Sequence, residues 1–398
     1  MVRRTAYLNK LINFKDKKLI KVVTGIRRCG KSTLLDLFRE YLEDNGVAAE
    51  QIQALNLENP DYRELLSWET LYEYLKKRLV SGKMNYIFLD EIQGVPEFER
   101  AVDGLYIRDN VDIYVTGSNA YMLSGEIASL LSGRYVEIPM LPLSFKEYVS
   151  AFAEPVSDLS RRYRDYLFNS SFPYTLELDG SQGAIRDYLG GIFNTVVLKD
   201  VVARKNISDV FMLESVIRFL FDNIGNLSST KKIADTMTSA GRKISVHTVE
   251  TYLTALTDSF ILYRAGRYDV KGKQHLKTGD KYYLADLGLR YYLLGSEGAD
   301  QGRMLENVVF LELRRREYEV CIGKVDAAEV DFVAVKNGSP EYYQAALTVR
   351  DKPTLERELA PLDKISDHNP KYLITLDDDP PASYNGIRQI NALDWLLG

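Results

Sequence analysis

The sequence predicts an α/β protein whose N-terminal third is a mostly parallel sheet with helices on both faces. Over residues 1–145, short apolar runs alternate with segments whose apolar residues recur at helical spacing. The first apolar run ends in a glycine-rich turn that leads directly into a helical segment. The composition, with 45% hydrophobic and 27% charged residues in a chain of 398, is typical of a globular protein.

The composition also speaks against several classes of protein. Two cysteines, Cys29 and Cys321, exclude a disulfide framework and a four-cysteine zinc site, and three scattered histidines speak against a histidine-rich metal site. The sequence contains no apolar run of about 18 residues, the length that a membrane span needs. The N-terminus lacks the apolar segment of a secretion signal. We therefore expect a cytoplasmic protein without a membrane partner. Its net charge of -5 excludes a wholly basic surface but allows a local basic patch.

The elements of residues 1–145 follow from their apolar patterns in chain order. Residues 19–24 form the first predicted strand, and the apolar positions of residues 32–42 have the spacing of a helix. The later predicted elements are strands at 53–57, 86–89 and 111–115 and a helix at 68–79. Residues 134–145 contain two prolines and are predicted to lead out of the sheet.

Residues 25–32, GIRRCGKS, fit the pattern G-x-x-x-x-G-K-[ST], which arises by chance in about one or two of a hundred chains of this length. A strand precedes this P-loop and a helix follows it, so backbone N–H groups can close around phosphates at the helix N-terminus. We predict that Lys31 reaches the β- and γ-phosphates of ATP, that Ser32 binds Mg²⁺, and that Thr33 lies against the α-phosphate. The other predicted nucleotide-binding residues are Gly25, Ile26, Arg27, Arg28, Cys29 and Gly30.

Three side chains of the P-loop allow a second interpretation. Cys29 is either a small residue that fills the loop or a reactive thiolate that the nearby positive charges favour. Arg27 and Arg28 either contact phosphate, DNA or a neighbouring subunit, or lie in solvent beside an acidic partner.

Two carboxylates follow the predicted strand at 86–89. An aspartate at the C-terminal end of a strand beside the P-loop strand can hold the Mg²⁺ shell, and a glutamate after it can orient and deprotonate the attacking water. We therefore predict hydrolysis with Asp90 as a metal residue and Glu91 as the general base. The alternative is an acidic strand end without a chemical role.

Small polar residues end the fourth predicted strand. Asn119, or else Ser118, is predicted to contact the γ-phosphate or the attacking water, and the alternative is a simple turn. Arg134 is either an arginine finger on a neighbour's nucleotide, which requires a homo-oligomer, or an anchor for its own loop. Arg108 is a weaker candidate for the finger.

The middle of the chain is locally basic, because residues 205–281 contain 12 Lys and Arg against eight Asp and Glu. From about residue 146 to 221 the pattern is mainly helical, with predicted turns at 172–173 and 190–191. The next predicted elements are helices at 213–224, 231–239 and 246–260, and strands at 261–264 and 281–284 that flank a basic hairpin at 271–277. Three helices and a two-stranded wing predict a winged helix.

A winged helix that binds duplex DNA places its third helix in the major groove and its wing along the backbone. The side chains suited to groove or phosphate contacts are Ser245, His247, Thr248 and Thr251. Those suited to salt-dependent attraction are Lys231, Lys232, Arg242 and Lys243. The alternative is a winged helix that packs within the protein or binds a protein partner.

Taken together, these motifs resemble the bacterial and archaeal AAA-like P-loop ATPases that carry a C-terminal domain of unknown function. The matching stretches are 19–35, 86–93, 115–126, 130–148, 283–295 and 302–320. The resemblance implies an additional-strand sheet, in which one strand lies between the P-loop strand and the strand of Asp90. It also implies a Mg²⁺-dependent ATPase core, a winged helix and a restriction-endonuclease-like tail.

The tail has the predicted layout of PD-(D/E)XK nucleases: a helix at 305–318, strands near 319–322, 330–335, 342–347 and 372–375, and a last helix near 394. Active members need an aspartate, a second acid and a lysine around divalent metal. Glu306 and Asp331 supply two acids, but Gln344 and Ala346 stand where the second motif acid and the lysine belong. We therefore expect no metal-dependent cutting, and a fold used for binding or assembly.

The predicted domains are an ATPase core (1–145), a helical lid or linker (146–204), a winged helix (205–295) and an inactive nuclease-like domain (296–398). The leading functional hypothesis is ATP hydrolysis that drives a conformational change acting on duplex DNA, through residues 205–281, or on a protein partner. The rival is a slow, nucleotide-gated regulator or scaffold whose C-terminal half binds protein. A nuclease is the third hypothesis.

Overall fold

A computed structural model of the chain describes residues 2–120, 131, 133–152, 158–178, 180–203, 205, 207–276, 279–295 and 300–398. The chain divides into two compact units. The first consists of Met1–Pro142 with Asp258–Phe260, and the second of Leu143–Thr257 with Ile261–Gly398. Among the helices that the model describes, none is long and apolar enough to cross a membrane.

The first unit is built on a five-stranded sheet in the order β2-β3-β4-β1-β5, with every neighbouring pair parallel. The strands are β1 (Ile20–Thr24), β2 (Ile52–Asn56), β3 (Asn85–Asp90), β4 (Val111–Gly117) and β5 (Tyr135–Pro139). The helices are α1 (Thr5–Asn13), α2 (Lys31–Asp44), α3 (Trp68–Lys76) and α4 (Phe98–Tyr106). Because β4 lies between β1 and β3, the additional-strand order is confirmed.

The three central strands of this sheet are buried along their whole length, which explains their mostly apolar sequences, and the buried charges of Lys21 and Asp112 form an ion pair. On one face, Leu71 and Leu75 of α3 and Val102 and Leu105 of α4 pack into the core. On the other face, the ring of Phe38 of α2 lies 4.9 Å from that of Tyr114 and 6.1 Å from that of Phe88, between centroids. The sheet therefore has helices on both faces, as predicted.

The prediction for residues 134–145 was wrong for its first half, because the chain leaves the sheet only after Pro139. Instead of leaving the sheet at once, Tyr135–Pro139 form β5, which pairs with β1 from Ile20 opposite Tyr135 to Thr24 opposite Pro139. A proline has no N–H group to donate, but β5 is an edge strand whose outer side needs no partner. Pro139 is therefore the last residue of an edge strand, where its missing N–H group leaves no partner unsatisfied on the outer side.

The second unit begins with helices and ends in a mixed sheet. Its helices are α5 (Phe145–Ser150), α6 (Leu159–Phe168), α7 (Gln182–Thr195), α8 (Val210–Asp222), α9 (Thr230–Ser239), α10 (Val246–Asp258), α11 (Leu287–Leu294), α12 (Gln301–Arg315), α13 (Lys352–Asp363) and α14 (Ala392–Leu397). The predicted turn at 190–191 was wrong, because α7 continues through both glycines. A Cβ atom at Gly190 would stand 3.0 Å from the Tyr292 hydroxyl oxygen, so this glycine permits close packing.

Helices α8, α9 and α10 lie close to their predicted positions, and Ser229 accepts a hydrogen bond from the backbone N–H of Lys232 at the start of α9. The predicted pair of strands is also present, as β6 (Leu262–Ala265) antiparallel to β9 (Lys281–Leu284). The hairpin between them is not a free wing, because its two strands are part of the eight-stranded sheet of the second unit. Residue 277, predicted to end the basic hairpin, lies outside the described residues.

The larger sheet has eight strands in the order β14-β15-β13-β12-β11-β10-β7-β8. Its members are β7 (Arg267–Asp269), β8 (Gln274–His275), β10 (Glu319–Val325), β11 (Ala328–Lys336), β12 (Ser339–Ala346), β13 (Lys371–Thr375), β14 (Ala382–Tyr384) and β15 (Ile387–Asn391). Strands β10 to β12 form an antiparallel meander, and β13 is parallel to β12. Helix α12 and strands β10 to β13 lie close to their predicted positions, helix α13 was not predicted, and the assignment of a nuclease-like tail stays a prediction.

Candidate functional site

Three of the predicted catalytic residues, Lys31, Glu91 and Asn119, lie at one edge of the sheet of the first unit, whereas Arg134 precedes β5 at the opposite edge. β1 ends at Thr24 and leads through the P-loop into α2, which begins at Lys31, while β3 ends at Asp90 and β4 at Gly117. Because parallel strands present their carboxyl ends at the same edge, these three connections meet there. In open α/β sheets ligands bind outside that edge.

The backbone of the P-loop takes conformations that the glycines permit. Gly25 has a φ of 149° and Gly30 a φ of 103°. A Cβ atom at Gly25 would lie 2.1 Å from the backbone oxygen of Met140, a distance that no side chain tolerates. Gly25 is therefore required both for its backbone angle and for the close approach of the following chain.

Cys29 is fully buried beneath the loop. Burial raises the pKa of its thiol, although the nearby Lys31 and Arg4 favour the thiolate. The Arg4 guanidinium donates hydrogen bonds to the backbone oxygens of Cys29, at 2.9 Å, and Leu141, at 2.7 Å. The geometry thus supports the interpretation of Cys29 as a residue that fills the loop, because buried thiols with a raised pKa are unreactive.

Lys31 is buried, and its ammonium group has several acceptors. Its Nζ atom donates hydrogen bonds to the backbone oxygens of Gly25, at 2.9 Å, and Ile26, at 3.3 Å. The same atom lies 3.5 Å from Oε1 of Glu91. A phosphate in the loop would compete with these acceptors for the ammonium group.

Asp90 is held at the end of β3 by a hydrogen bond at 2.5 Å from the hydroxyl of Thr116, which also accepts the backbone N–H of Glu91 at 2.9 Å. Burial raises the pKa of Asp90, and hydrogen bonds from Thr116 and Ser32 oppose that rise. The contact with Ser32 brings the two predicted metal residues together. A hydroxyl and a carboxylate are oxygen ligands of the kind Mg²⁺ takes, alongside water and substrate phosphates.

This pair of ligands fits a metal that a nucleotide helps to hold. Among the described residues there is no group of three or more His, Cys, Asp or Glu side chains placed to bind a metal by themselves. Mg²⁺ usually binds through one or two protein ligands together with phosphates, so the pair of Ser32 and Asp90 fits it.

Glu91 lies among donors and cations. Burial raises the pKa of Glu91, but Lys31, Arg27 and hydrogen bonds from Gln93 and Ser118 hold it below its usual value. The Arg27 Nη1 atom is 3.9 Å from Oε2 of Glu91 and 2.8 Å from Oε1 of Glu58. Glu91 is therefore ionised at neutral pH, which is the form that a general base requires.

The residues after β4 are buried at the same edge of the sheet, with Ser118 and Asn119 both less than 3% exposed. The Ser118 hydroxyl lies 3.2 Å from Nε2 of Gln93, which also contacts Glu91. Ser118, which the sequence analysis named as the alternative to Asn119, is thus linked through Gln93 to the predicted base. Asn119 as the contact to the γ-phosphate stays a prediction.

Arg134 has partners within its own unit. Its guanidinium forms an ion pair with Asp103 and lies 5.6 Å from the ring centroid of Tyr106. These contacts support its role as an anchor for its own loop, and the arginine finger stays a prediction. Arg108, the weaker candidate, lies 3.4 Å from the Tyr72 hydroxyl through Nη2.

Sequence reasoning missed Gln93 and Thr116 as parts of this site. Gln93 stands two residues after Glu91, and Thr116 is the residue before the last one of β4. The only sequence signal was their proximity to residues already chosen. Thr116 became identifiable once β4 was known to lie beside β3, because neighbouring parallel strands bring their ends together.

In the second unit, the proposed DNA-binding side chains are mostly exposed: Lys231, Lys232, Arg242, Lys243, Ser245 and His247. Ser245 accepts a hydrogen bond from the backbone N–H of Thr248 at 3.0 Å, and the Thr251 hydroxyl donates to the backbone of His247 at 3.1 Å. These two residues therefore serve the local helix structure. In the hairpin, Lys271 is 2.7 Å from Asp326.

The C-terminal part of the second unit brings Glu306 and Asp331 together around a lysine that the sequence did not suggest. Lys281 of β9 is 4% exposed, and its Nζ atom lies 2.8 Å from Oε1 of Glu306 and 2.7 Å from Oε1 of Glu329. It is also 3.9 Å from Oδ1 of Asp331. The Tyr283 hydroxyl donates to Glu306 at 2.6 Å. A buried ammonium group thus neutralises the acids that would face a metal in an active nuclease.

The charges of this cluster depend on one another. Burial lowers the pKa of Lys281, but Glu306, Asp331 and Glu329 more than reverse this and raise it. Burial and Glu306 raise the pKa of Asp331 well above its usual range, while Lys281 opposes that rise. Gln344 bonds to the backbone N–H of Asp331, at 3.2 Å, and to Glu358, at 2.8 Å. Gln344 is therefore part of the packing of the tail.

We predict that Gly25→Ala destabilises the first unit by about 1–3 kcal/mol or more, because the new methyl group overlaps the Met140 carbonyl at a backbone angle that alanine avoids. Urea unfolding of the wild type and variant measures the loss. Gly46→Ala is the matched control, because Gly46 also has a positive φ, of 85°, but its Cβ would meet no atom within 4 Å. Equal stabilities of the two variants would contradict the predicted overlap.

We predict that Lys281→Met lowers the free energy of unfolding by about 3–5 kcal/mol at neutral pH, because it leaves buried carboxylates without a cation. Without that cation the ionised form of Asp331 is costly, so the variant becomes less stable as pH rises through the acidic range. In the wild type, the raised pKa of Lys281 means that its contribution is complete at neutral pH and is lost only in strong base. The difference between the two proteins should therefore shrink as pH falls towards 4.

Denaturant unfolding between pH 4 and 8 measures this difference. Lys271→Met is the control, because it removes an ion pair whose two side chains are about half exposed, and it should cost less than about 1 kcal/mol. A similar loss in the two variants at neutral pH would show that the buried cluster is not the stabilising feature.

Comparison with known proteins agrees with this geometry. A family model described as an AAA domain matches residues 17–149, and a model of a domain of unknown function, DUF8612, matches residues 160–300. The Walker-type ATPase of Pyrococcus abyssi is a similar solved structure, with 16% identity and a TM-score of 0.49 over 74% of this chain and 96% of that chain.

Two relatives have longer stretches of sequence in common with this chain. An uncharacterized protein of Haemophilus influenzae is 41% identical over 402 residues, which cover 100% of this chain and 99% of that protein. An uncharacterized protein of Methanocaldococcus jannaschii is 30% identical over 313 residues, which cover 75% of this chain and 67% of that protein. The chain therefore belongs to the family of these two proteins, and its residues 17–149 match the model of an AAA domain.

Proposed function

We propose that this protein binds ATP with Mg²⁺ and hydrolyses it, and that the resulting conformational change acts on duplex DNA or on a protein partner. The observation that carries the proposal is the convergence of Lys31, Asp90 and Glu91 at one edge of the sheet of an AAA domain. The burial and the contacts of these side chains support their proposed roles.

Phosphate binding would rest on the P-loop and on an exchange of partners by Lys31. The backbone N–H groups at the start of α2 and the ammonium group of Lys31 are donors for the phosphates. To reach a phosphate, Lys31 gives up its bonds to Gly25 and Ile26 and its contact with Glu91. Ser32 and Asp90 would hold Mg²⁺, which neutralises charge on the β- and γ-phosphates.

Hydrolysis would rest on Glu91. When Lys31 turns to the phosphates, Glu91 loses its nearest cation, so its pKa rises towards the range in which a carboxylate accepts a proton readily. Arg27 and Gln93 remain as partners of the Glu91 side chain. Glu91 would then take a proton from the attacking water, and Ser118 or Asn119 would lie near the γ-phosphate.

Two sets of observations bear on the partner of the second unit, and they favour different hypotheses. The exposed basic side chains of α9 and of the segment before α10 support duplex DNA. The hairpin of β7 and β8 supports the rival hypothesis of a protein-binding regulator, because it pairs with β10 and its Lys271 is engaged with Asp326. A tail whose acids are neutralised by Lys281 supports binding or assembly over strand cleavage.

We expect the purified protein to hydrolyse ATP in the presence of Mg²⁺. Glu91→Gln should lower the turnover number by about 100-fold or more and retain ATP binding, because it removes the base and leaves the P-loop intact. Lys31→Ala should lose ATP binding. Steady-state phosphate release and titration with a fluorescent ATP analogue measure the two properties.

Glu43→Gln is the matched control for this experiment, because Glu43 is exposed near the end of α2, away from the strand ends. Wild-type turnover by Glu91→Gln would contradict the assignment of the base. ATP binding without turnover in the wild type would favour the slow regulator, and failure to bind ATP would refute both hypotheses.

If duplex DNA is the partner, it should stimulate hydrolysis, and the stimulation should fall steeply between about 50 and 200 mM salt as phosphate contacts are screened. Replacing Lys231, Lys232 and Lys243 together by Gln should remove the stimulation and leave basal turnover unchanged. Hydrolysis that DNA does not alter at either salt concentration would favour a protein partner.

A further inference from the structure

We propose that Gln93 is a positioning residue for ATP hydrolysis, which holds the Glu91 carboxylate beside Ser118. This inference rests on the proposed ATPase function. It adds a residue whose side chain acts through the base and not on the nucleotide.

The side-chain amide of Gln93 joins the base to the end of the neighbouring strand. Its Nε2 atom donates a hydrogen bond to Oε2 of Glu91 and lies 3.2 Å from the hydroxyl oxygen of Ser118. A primary amide nitrogen carries two hydrogens, so it can serve both acceptors at once. The orientation of the amide is fixed, because turning it over would set its oxygen against a carboxylate.

The backbone around Gln93 is held in place, so the side chain of Gln93 can restrain that of Glu91. Gln93 lies in a short 3-10 turn, in which Gly94 donates to the backbone oxygen of Glu91 at 3.1 Å and Val95 to that of Ile92 at 2.9 Å. Ile92 and Val95 are at most 1% exposed and anchor both ends of the turn in the core. A change at the Gln93 side chain therefore alters the hydrogen bonds without needing to move the chain.

An amide suits this position because it carries no charge. Lys31 and Arg27 also approach Glu91, but a cation lowers the basicity of a carboxylate strongly, and Lys31 is needed at the phosphates. Once Lys31 has turned away, Gln93 still restrains the Glu91 side chain, which otherwise has three rotatable bonds. The base is then both oriented and basic enough to accept a proton.

The amide oxygen of Gln93 gives a second reason to expect a role in the reaction. Its Oε1 atom is buried and accepts no hydrogen bond from any of the residues described. A buried acceptor without a donor loses its hydrogen bonds to water and gains none in return, so such an atom calls for an explanation. A water molecule on Glu91 would supply the donor and would share the restraint that the amide places on the base.

The test compares Gln93→Met, which keeps the length of the side chain and removes its hydrogen bonds, with the wild type. The turnover number for ATP should fall about 10- to 100-fold, because the base is no longer oriented. The dissociation constant for ATP should change by less than about threefold. This split between a lowered turnover number and an unchanged dissociation constant is the readout that a purely structural role of Gln93 would not give.

Gln51→Met is the matched control. The Gln51 amide donates to the backbone oxygen of Met84 at 2.7 Å, and Gln51 precedes the amino end of β2, away from the strand ends that carry the site. Its turnover number and its dissociation constant for ATP should equal those of the wild type. Ser118→Ala is the second variant if Gln93→Met does not fold, because it removes the other acceptor of the amide and should move the turnover number in the same direction.

The outcomes separate this inference from the function on which it rests. A fall in turnover with unchanged ATP binding would support the positioning role. Wild-type turnover in Gln93→Met, or a loss of turnover that only follows a loss of ATP binding, would overturn it while leaving the ATPase intact. Absence of hydrolysis by the wild type would overturn both.

Discussion

The contact between Lys31 and Glu91 is the constraint on which the proposed chemistry depends. One ammonium group faces two P-loop carbonyls and a carboxylate, and a phosphate would be a stronger partner than any of these. The exchange joins two events that an ATPase has to couple, since the movement that binds phosphate also frees the base. The contact exists only because β1 and β3 end at the same edge of a parallel sheet with β4 between them. The strand order thus determines the chemistry as directly as the motif does.

The strand between the two motifs is more than a spacer. Thr116 of β4 fixes both acids, because its hydroxyl donates to Asp90 and accepts the backbone N–H of Glu91. Ser118, two residues later, meets Gln93 from the other side. These neutral contacts hold the carboxylates without adding charge. The tail uses a charged contact instead, where the ammonium group of Lys281 lies 2.7–3.9 Å from oxygen atoms of three carboxylates. An inward-facing cation stabilises that cluster but leaves it unsuited to metal chemistry.

The sequence predicted the parts of the site that belong to one short segment. The P-loop, the strand before it and the acidic pair after β3 could be predicted because glycine spacing and buried strands leave local patterns. The contacts of Gln93, Thr116 and Lys281 could not, because they join segments far apart in the chain and depend on strand order. Proline and glycine misled where tertiary context gave them another use: Pro139 lies on an edge strand, and Gly190 packs against Tyr292. The hairpin of β7 and β8 was assigned to a wing because nothing local distinguishes a free hairpin from one that extends a sheet.

The most direct test of the central claim is a crystal structure with Mg²⁺ and a non-hydrolysable ATP analogue. The account predicts that the Lys31 Nζ atom leaves the carbonyls of Gly25 and Ile26 and contacts the β- and γ-phosphates. It also predicts that Ser32 and Asp90 face the metal, and that Glu91 remains bonded to Gln93 but no longer lies beside Lys31. An analogue bound in the loop with Lys31 still 3.5 Å from Glu91, or bound elsewhere on the protein, would contradict it.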